Sequence, residues 1–258
     1  MEERLDYTTL LNLATEIGFN LLQSGAEIYR VEDSIRRIFA AYGILDSDVF
    51  TIPSCILVTI IDESGCPLTR IRRLNTSSIN IMRIERYNSL CRQICRSAPD
   101  FEWIRSELNR IDSLPCYSLF AQILATALIS FSFTLFYGGD IRDALVAFVC
   151  GFVLKPIFYL MQKFNSNGFF CNIICSALIT VMATSAFYLS IASHYDKIVI
   201  GTLMNLVPGI AITNVMRDII AGDLLSGTVK FIEALLVALG IALGAGLAIT
   251  AMRLLSVL

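Results

Sequence analysis

Apolar positions in this chain follow two textures. Up to about residue 113 they recur at helix or strand spacing among charged residues. Beyond it they run together in stretches of roughly twenty, the length a membrane-crossing helix needs.

Within the first texture, Leu10, Leu13, Ile17 and Leu21 mark one face of a helix that stops at Ser24-Gly25. Ser24 and Glu27 match a capping box opening a second helix, whose apolar face is Ile28, Val31, Ile35, Ile38 and Tyr42. Gly43 supplies the left-handed residue that ends it, so a helical hairpin is expected. From Val49 to Leu74 β-branched residues at period two predict antiparallel strands over 48–52, 55–61 and 67–73, with a turn at Asp62-Glu63-Ser64-Gly65. Arg70 and Arg72 share one strand face, and this row is expected to meet solvent or a partner. Ile84, Tyr87, Cys91 and Ile94, then Phe101, Ile104, Leu108 and Ile111 after Pro99, predict two more helices. Residues 1–113 therefore read as a small α+β domain. They contain no nucleotide loop, no nucleophile with its base and no carboxylate pair of defined geometry, which argues against an enzyme.

Residues 114–258 contain five long apolar stretches, near 117–137, 144–163, 169–193, 198–216 and 231–254. The fold class expected is an α-helical polytopic membrane protein of about five transmembrane helices with an N-terminal cytoplasmic α+β domain. Charge supports the division: 29 of the first 113 residues are charged, against 13 of the remaining 145. Net charge is −3 and +1 in the two parts, so no broad basic surface invites nucleic acid. The N-terminus has the acidic start Met1-Glu2-Glu3-Arg4 and no secretory pattern, which predicts a cytoplasmic first domain in the cell membrane. Arg105, Arg110, Lys163, Arg217 and Lys230 then flank the spans inside, and Arg142, Lys197 and Arg253 outside, a weak positive-inside bias. An odd number of spans places the C-terminus outside.

Eight cysteines accompany one histidine, His194, and read as reduced small hydrophobes. Cys91/Cys95 and Cys171/Cys175 are spaced i,i+4 but lack a second pair of ligands, so no metal and no cofactor is expected.

Polar residues inside the apolar stretches carry the candidate chemistry. Lys155 lies near the middle of the second stretch, where an uncompensated charge costs about 2.5 kcal/mol or more, and is expected to face a cavity, a partner or an anion unless it snorkels. Asn205-Leu206-Val207-Pro208-Gly209 interrupts the fourth. Pro208 removes a backbone donor and Gly209 permits an unusual turn, so the helix should break and resume with free N–H groups suited to a carboxylate. Beyond the break, Thr213/Arg217 and Asn214/Asp218 form adjacent i,i+4 polar rows. Gly240, Gly244 and Gly246 form a small-residue surface for a close helix neighbour.

Three blocks, Ser24-Gly25-Ala26-Glu27-Ile28-Tyr29-Arg30-Val31-Glu32, Thr69-Arg70-Ile71-Arg72-Arg73, and Leu206 to Asp218 with Gly222 to Gly227, resemble the threonine/serine exporter family. The resemblance covers nearly the whole chain. It implies a cytoplasmic domain followed by about five spans, working with a smaller membrane unit that is fused or separate. It further implies export of small amino acids or of dicarboxylates such as succinate. On this reading the substrate-binding candidates are Lys155, Asn205, Pro208, Gly209, Thr213, Asn214 and Arg217, and the ion-coupling candidates Asp218 and Asp223. The expected partners are the smaller subunit, a small carboxylate-bearing substrate and the lipid bilayer, with a homo-oligomer of the chain left open. A non-transporting membrane module that assembles or regulates a partner is the alternative.

Overall fold

The computed structural model describes residues 6–75, 78–115, 117–164 and 167–257. They divide into two compact units, Met1–Pro115 with Ile212–Phe231, and Cys116–Ala211 with Ile232–Leu258. The segment 212–231 thus groups with the first unit, although the composition of the sequence changes only once, near residue 113.

The first unit opens with α1 (Tyr7–Gln23) and α2 (Ile28–Ala41), followed by strands β1 (Ser47–Ile52), β2 (Cys55–Ile61) and β3 (Pro67–Arg73), then α3 (Ile81–Ser97) and α4 (Phe101–Asp112). Gly25 and Gly43, at φ +86 and +85, end the two helices in the left-handed region that the sequence anticipates. The strands form one antiparallel sheet in the order β1-β2-β3, with Val49 opposite Val58 and Val58 opposite Arg70. The expected apolar stripes are buried: Leu10, Leu13, Ile17 and Leu21 of α1 and Ile28, Val31 and Ile35 of α2 join Ile56, Val58 and Ile60 of the sheet in one core.

Two local expectations are overturned here. The arginine row of β3 is half-buried rather than a solvated face: Arg70 donates to Asn12 Oδ1 and the Arg72 guanidinium stacks 3.9 Å from the Phe19 ring centroid, both on α1. It is Ile71 that stands exposed. Long arginine stems cover apolar surface while their heads find partners, so a charged row can be the inner row of a thin sheet. Nor do Ser24 and Glu27 form a capping box. Glu27 is itself the N-cap residue of α2 and makes no capping hydrogen bond.

In the second unit, α5 (Leu119–Phe136), α6 (Ile141–Lys163) and α7 (Gly168–Tyr188) are each long and apolar enough to cross a membrane, as is the window Leu224–Leu254 of α10 (Leu224–Val257). The expected fourth span, 198–216, is not one helix. It is divided between α8 (Tyr195–Leu203) and α9 (Gly209–Ile220), each too short to cross alone. Residues 217–230 are not a long polar loop either. The connection is three residues, turned by Gly222 at φ +98, and α10 already begins at Leu224.

Close packing in this unit relies on missing side chains. A Cβ on Gly201 of α8 would overlap Thr134 of α5, and one on Gly244 of α10 would overlap Ser176 Oγ and the Ile173 carbonyl of α7. The glycine surface of α10 is therefore largely used inside the chain: Gly240 also lies against α7, at Phe169 and Asn172, and only Gly246 faces open space.

Candidate functional site

The residues singled out from the sequence divide between the two units. Lys155, Asn205, Pro208 and Gly209 belong to the second, and Thr213, Asn214, Arg217, Asp218 and Asp223 to the first.

The break between α8 and α9 occupies Met204–Pro208. Met204, Asn205 and Leu206 still donate their N–H groups to carbonyls of the last turn of α8, and Pro208, lacking a donor, stops the series. α9 then begins at Gly209. Gly209 is not among the glycines with positive φ, so proline chemistry makes this break without a left-handed glycine. Asn205 is held by α5: its Nδ2 donates to Ser130 Oγ at 2.9 Å and to the Thr202 carbonyl at 3.1 Å, with the Thr126 carbonyl at 3.4 Å. Thr202, fully buried beside it, has a hydroxyl with no partner among the described residues.

Lys155 is half-buried on α6 next to Pro156, and among the described residues it makes no ion pair. The helix continues through Pro156 to Lys163.

The polar half of α9 meets the first block of the family resemblance. Arg217 Nη1 donates to Glu27 Oε1 at 2.6 Å, and Arg30 Nε lies 3.2 Å from the other oxygen of the same carboxylate. Asn214 Nδ2 donates to the Gly25 carbonyl at 3.2 Å. Asp218 is wholly buried: Oδ1 accepts the Ile28 N–H at 3.3 Å and Oδ2 accepts from Lys230 Nζ at 2.8 Å. A carboxylate 190 positions away thus serves the first turn of α2, where unpaired N–H groups and the positive end of the helix dipole favour an anion. Arg217 thus holds Glu27, while Asp218 takes Lys230.

A second pair of acids lies alongside. Glu32 accepts the Thr51 N–H at 2.8 Å and pairs with Arg36 at 3.3 Å, yet burial pushes its carboxyl above the ordinary range. Asp223 is raised as well, by burial first and by the charge of Asp218 second. Its N–H donates to the Asp218 carbonyl, which fixes the turn into α10.

Several contributors went unrecognised in the sequence. Glu27 and Lys230 carry the two key ion pairs, and no spacing signal links either to its partner on α9. Asp143 of α6 is wholly buried. One of its oxygens accepts the Ser193 and His194 N–H groups, and the other faces the Asp140 N–H and His194 Nδ1. Asp140, Asp143 and His194 bring possible ligand atoms within 4.8 Å of one another, but this saturation makes Asp143 a pin between two connections rather than an open ligand. The polar rows Gln122, Thr126, Ser130, Thr134 on α5 and Asn172, Ser176, Thr180, Thr184 on α7 repeat every four residues, a signal visible in the sequence. From Thr126 on, the hydroxyls of both rows bond back to carbonyls of their own helix.

Known proteins resemble the chain in sequence alone, for no solved structure matches it. A "Threonine/serine exporter" from Corynebacterium glutamicum is 24% identical over 256 residues, covering 96% of this chain and 52% of that protein. A "Probable threonine/serine exporter" from Mycobacterium tuberculosis is 20% identical over 237 residues, covering 91% of this chain and 45% of that protein. The chain thus spans about half the length of these curated relatives. The threonine/serine exporter family model matches residues 12–252, and with helices of membrane-crossing length on the page the chain belongs to that family.

Proposed function

We propose that this chain is the membrane subunit of a secondary exporter for small amino acids of the threonine/serine kind or small dicarboxylates of the succinate kind. It acts with a smaller membrane subunit, as the family resemblance implies. The single observation that carries the reading is the Pro208 break, in a stretch otherwise apolar enough to cross, within a chain of an exporter family. A broken helix presents N–H groups and a positive dipole end to a carboxylate that has shed its water.

On this reading the N–H groups after Gly209 hold the substrate carboxylate, with Asn205 and Thr213 adding neutral hydrogen bonds. Lys155 supplies a counter-charge along the route. Arg217 stays charged at any working pH and draws the anion toward the entrance, and proton uptake by Asp218 or Asp223 couples movement to an ion. The first domain lies in the cytoplasm and the C-terminus outside.

The test is export of labelled threonine, serine and succinate from cells lacking their own exporter, with the chain expressed alone and with a candidate small subunit. Lys155→Met should insert normally yet export about tenfold or more slowly, the scale of a lost charge-assisted hydrogen bond. Pro208→Ala should also impair export at equal surface abundance. Wild-type export by both variants would move the substrate route elsewhere, and no export with any partner would favour the assembly-module reading.

A further inference from the structure

Outside the exporter machinery, α2 and α3 enclose a groove of about 510 Å³ whose lining is dominated by arginine. Arg30 and Arg37 lie two turns apart on α2, and Arg92 and Arg96 one turn apart on α3, so four guanidinium groups converge from two helices. Asp33, paired with Arg37 at 2.7 Å, is the only acid in the lining, and Arg30 pairs with Glu27 just outside it at 3.2 Å, so Arg92 and Arg96 are the lining cations without an acid among the described residues. The side chains of Arg96 and Asn88, also in the lining, make no hydrogen bond or ion pair with any described residue. The first unit as a whole is acidic, so this concentration is local and stands against the trend of the sequence. Four like charges around one cavity repel each other unless an anion joins them.

We propose that this groove binds a phosphate-bearing ligand. Its volume falls in the range of small-molecule sites. The planar forks of arginine match the paired oxygens of phosphate. Charge sets the class: a zwitterionic amino acid carries no net charge and leaves Arg92 and Arg96 uncompensated, whereas a phosphate ester or pyrophosphate carries the two or more negative charges they call for. Tyr29 at the rim offers an aromatic face, already approached by the Arg30 guanidinium at 5.9 Å from its centroid. The phosphate can come from a soluble metabolite or from a phospholipid headgroup. The site does not depend on the exporter reading.

The experiment uses the full chain in nanodiscs. With zwitterionic lipid, pyrophosphate is titrated at constant ionic strength against chloride while thermal unfolding is followed. With anionic phosphatidylglycerol, unfolding is compared without pyrophosphate. The test variant is Arg92→Gln/Arg96→Gln, both exposed, and Arg73→Gln on the exposed edge of β3 is the control. A saturable rise in unfolding temperature with pyrophosphate, its midpoint shifted at least tenfold in the double variant and unmoved in the control, establishes a soluble ligand. A rise only with phosphatidylglycerol, again lost in the double variant alone, establishes the headgroup. No rise in either arm, or a rise equal in all three proteins, overturns the proposal.

Discussion

Asp143 and His194 show how much one buried carboxylate can organise. The carboxylate is wholly buried, and hydrogen bonding to it raises the His194 imidazole above its ordinary value, with Asp140 and Asp196 adding negative charge nearby. A raised histidine stabilises the fold fully below its unfolded value of about 6.5, and that contribution disappears as pH rises through the folded value. Because the chain has one histidine, a titration of labelled imidazole by NMR reads this group directly. The midpoint is expected above 6.5 in the native chain and back near it in Asp143→Asn; an unshifted native midpoint would refute the pin. Gly244 belongs to the same scale. Any side chain there meets Ser176 Oγ and a backbone carbonyl that cannot rotate away, so Gly244→Leu should lose about 1–3 kcal/mol of stability. Gly246→Leu, with nothing near it, should melt like the native protein.

At the scale of elements, the start of α2 and the polar half of α9 are held by alternating charges. Lys230 and Asp218 form a pair in which the acid is wholly buried, and such pairs add little net stability yet are costly to halve. Lys230→Met should therefore destabilise the chain by about 3–5 kcal/mol, and Asp218→Asn in the same chain should recover most of it, as read by denaturant unfolding. Equal stability of the single and double variants would show that the pair is not buried in solution. The Arg217–Glu27 pair separates two roles for Arg217. If it acts through Glu27, Glu27→Gln and Arg217→Gln impair export equally. If it meets substrate, the arginine variant alone raises the half-saturating substrate concentration.

At the scale of the whole chain, α10 has 34 residues and a length of about 51 Å, against a hydrocarbon core of about 30 Å. Its first eight residues, 224–231, group with the first unit, so the helix is longer than any one crossing requires. This bears on topology. With the first domain inside, cysteine accessibility should label a tag at the N-terminus only after permeabilisation and one at the C-terminus in intact cells. Labelling of both from outside would reverse the orientation. Gly240 and Gly244 are spent on α7, and Gly246 is the part of that row still open to a helix neighbour.

Periodicity and local chemistry determined much without any tertiary information. The α1 and α2 stripes, the strands to within a residue, and the proline that divides α8 from α9 all follow from interactions a few residues long. So did the membrane character of the long apolar stretches, because lipid length sets their size. Tertiary structure alone decided which partner each polar group found. Arg70 and Arg72 of β3 reach Asn12 and Phe19 of α1, Asp218 serves the first turn of α2, and Gly240 and Gly244 of α10 seat α7. Each of these depends on where a distant segment packs, and a buried charge takes whichever complementary group the fold delivers, however far away along the chain.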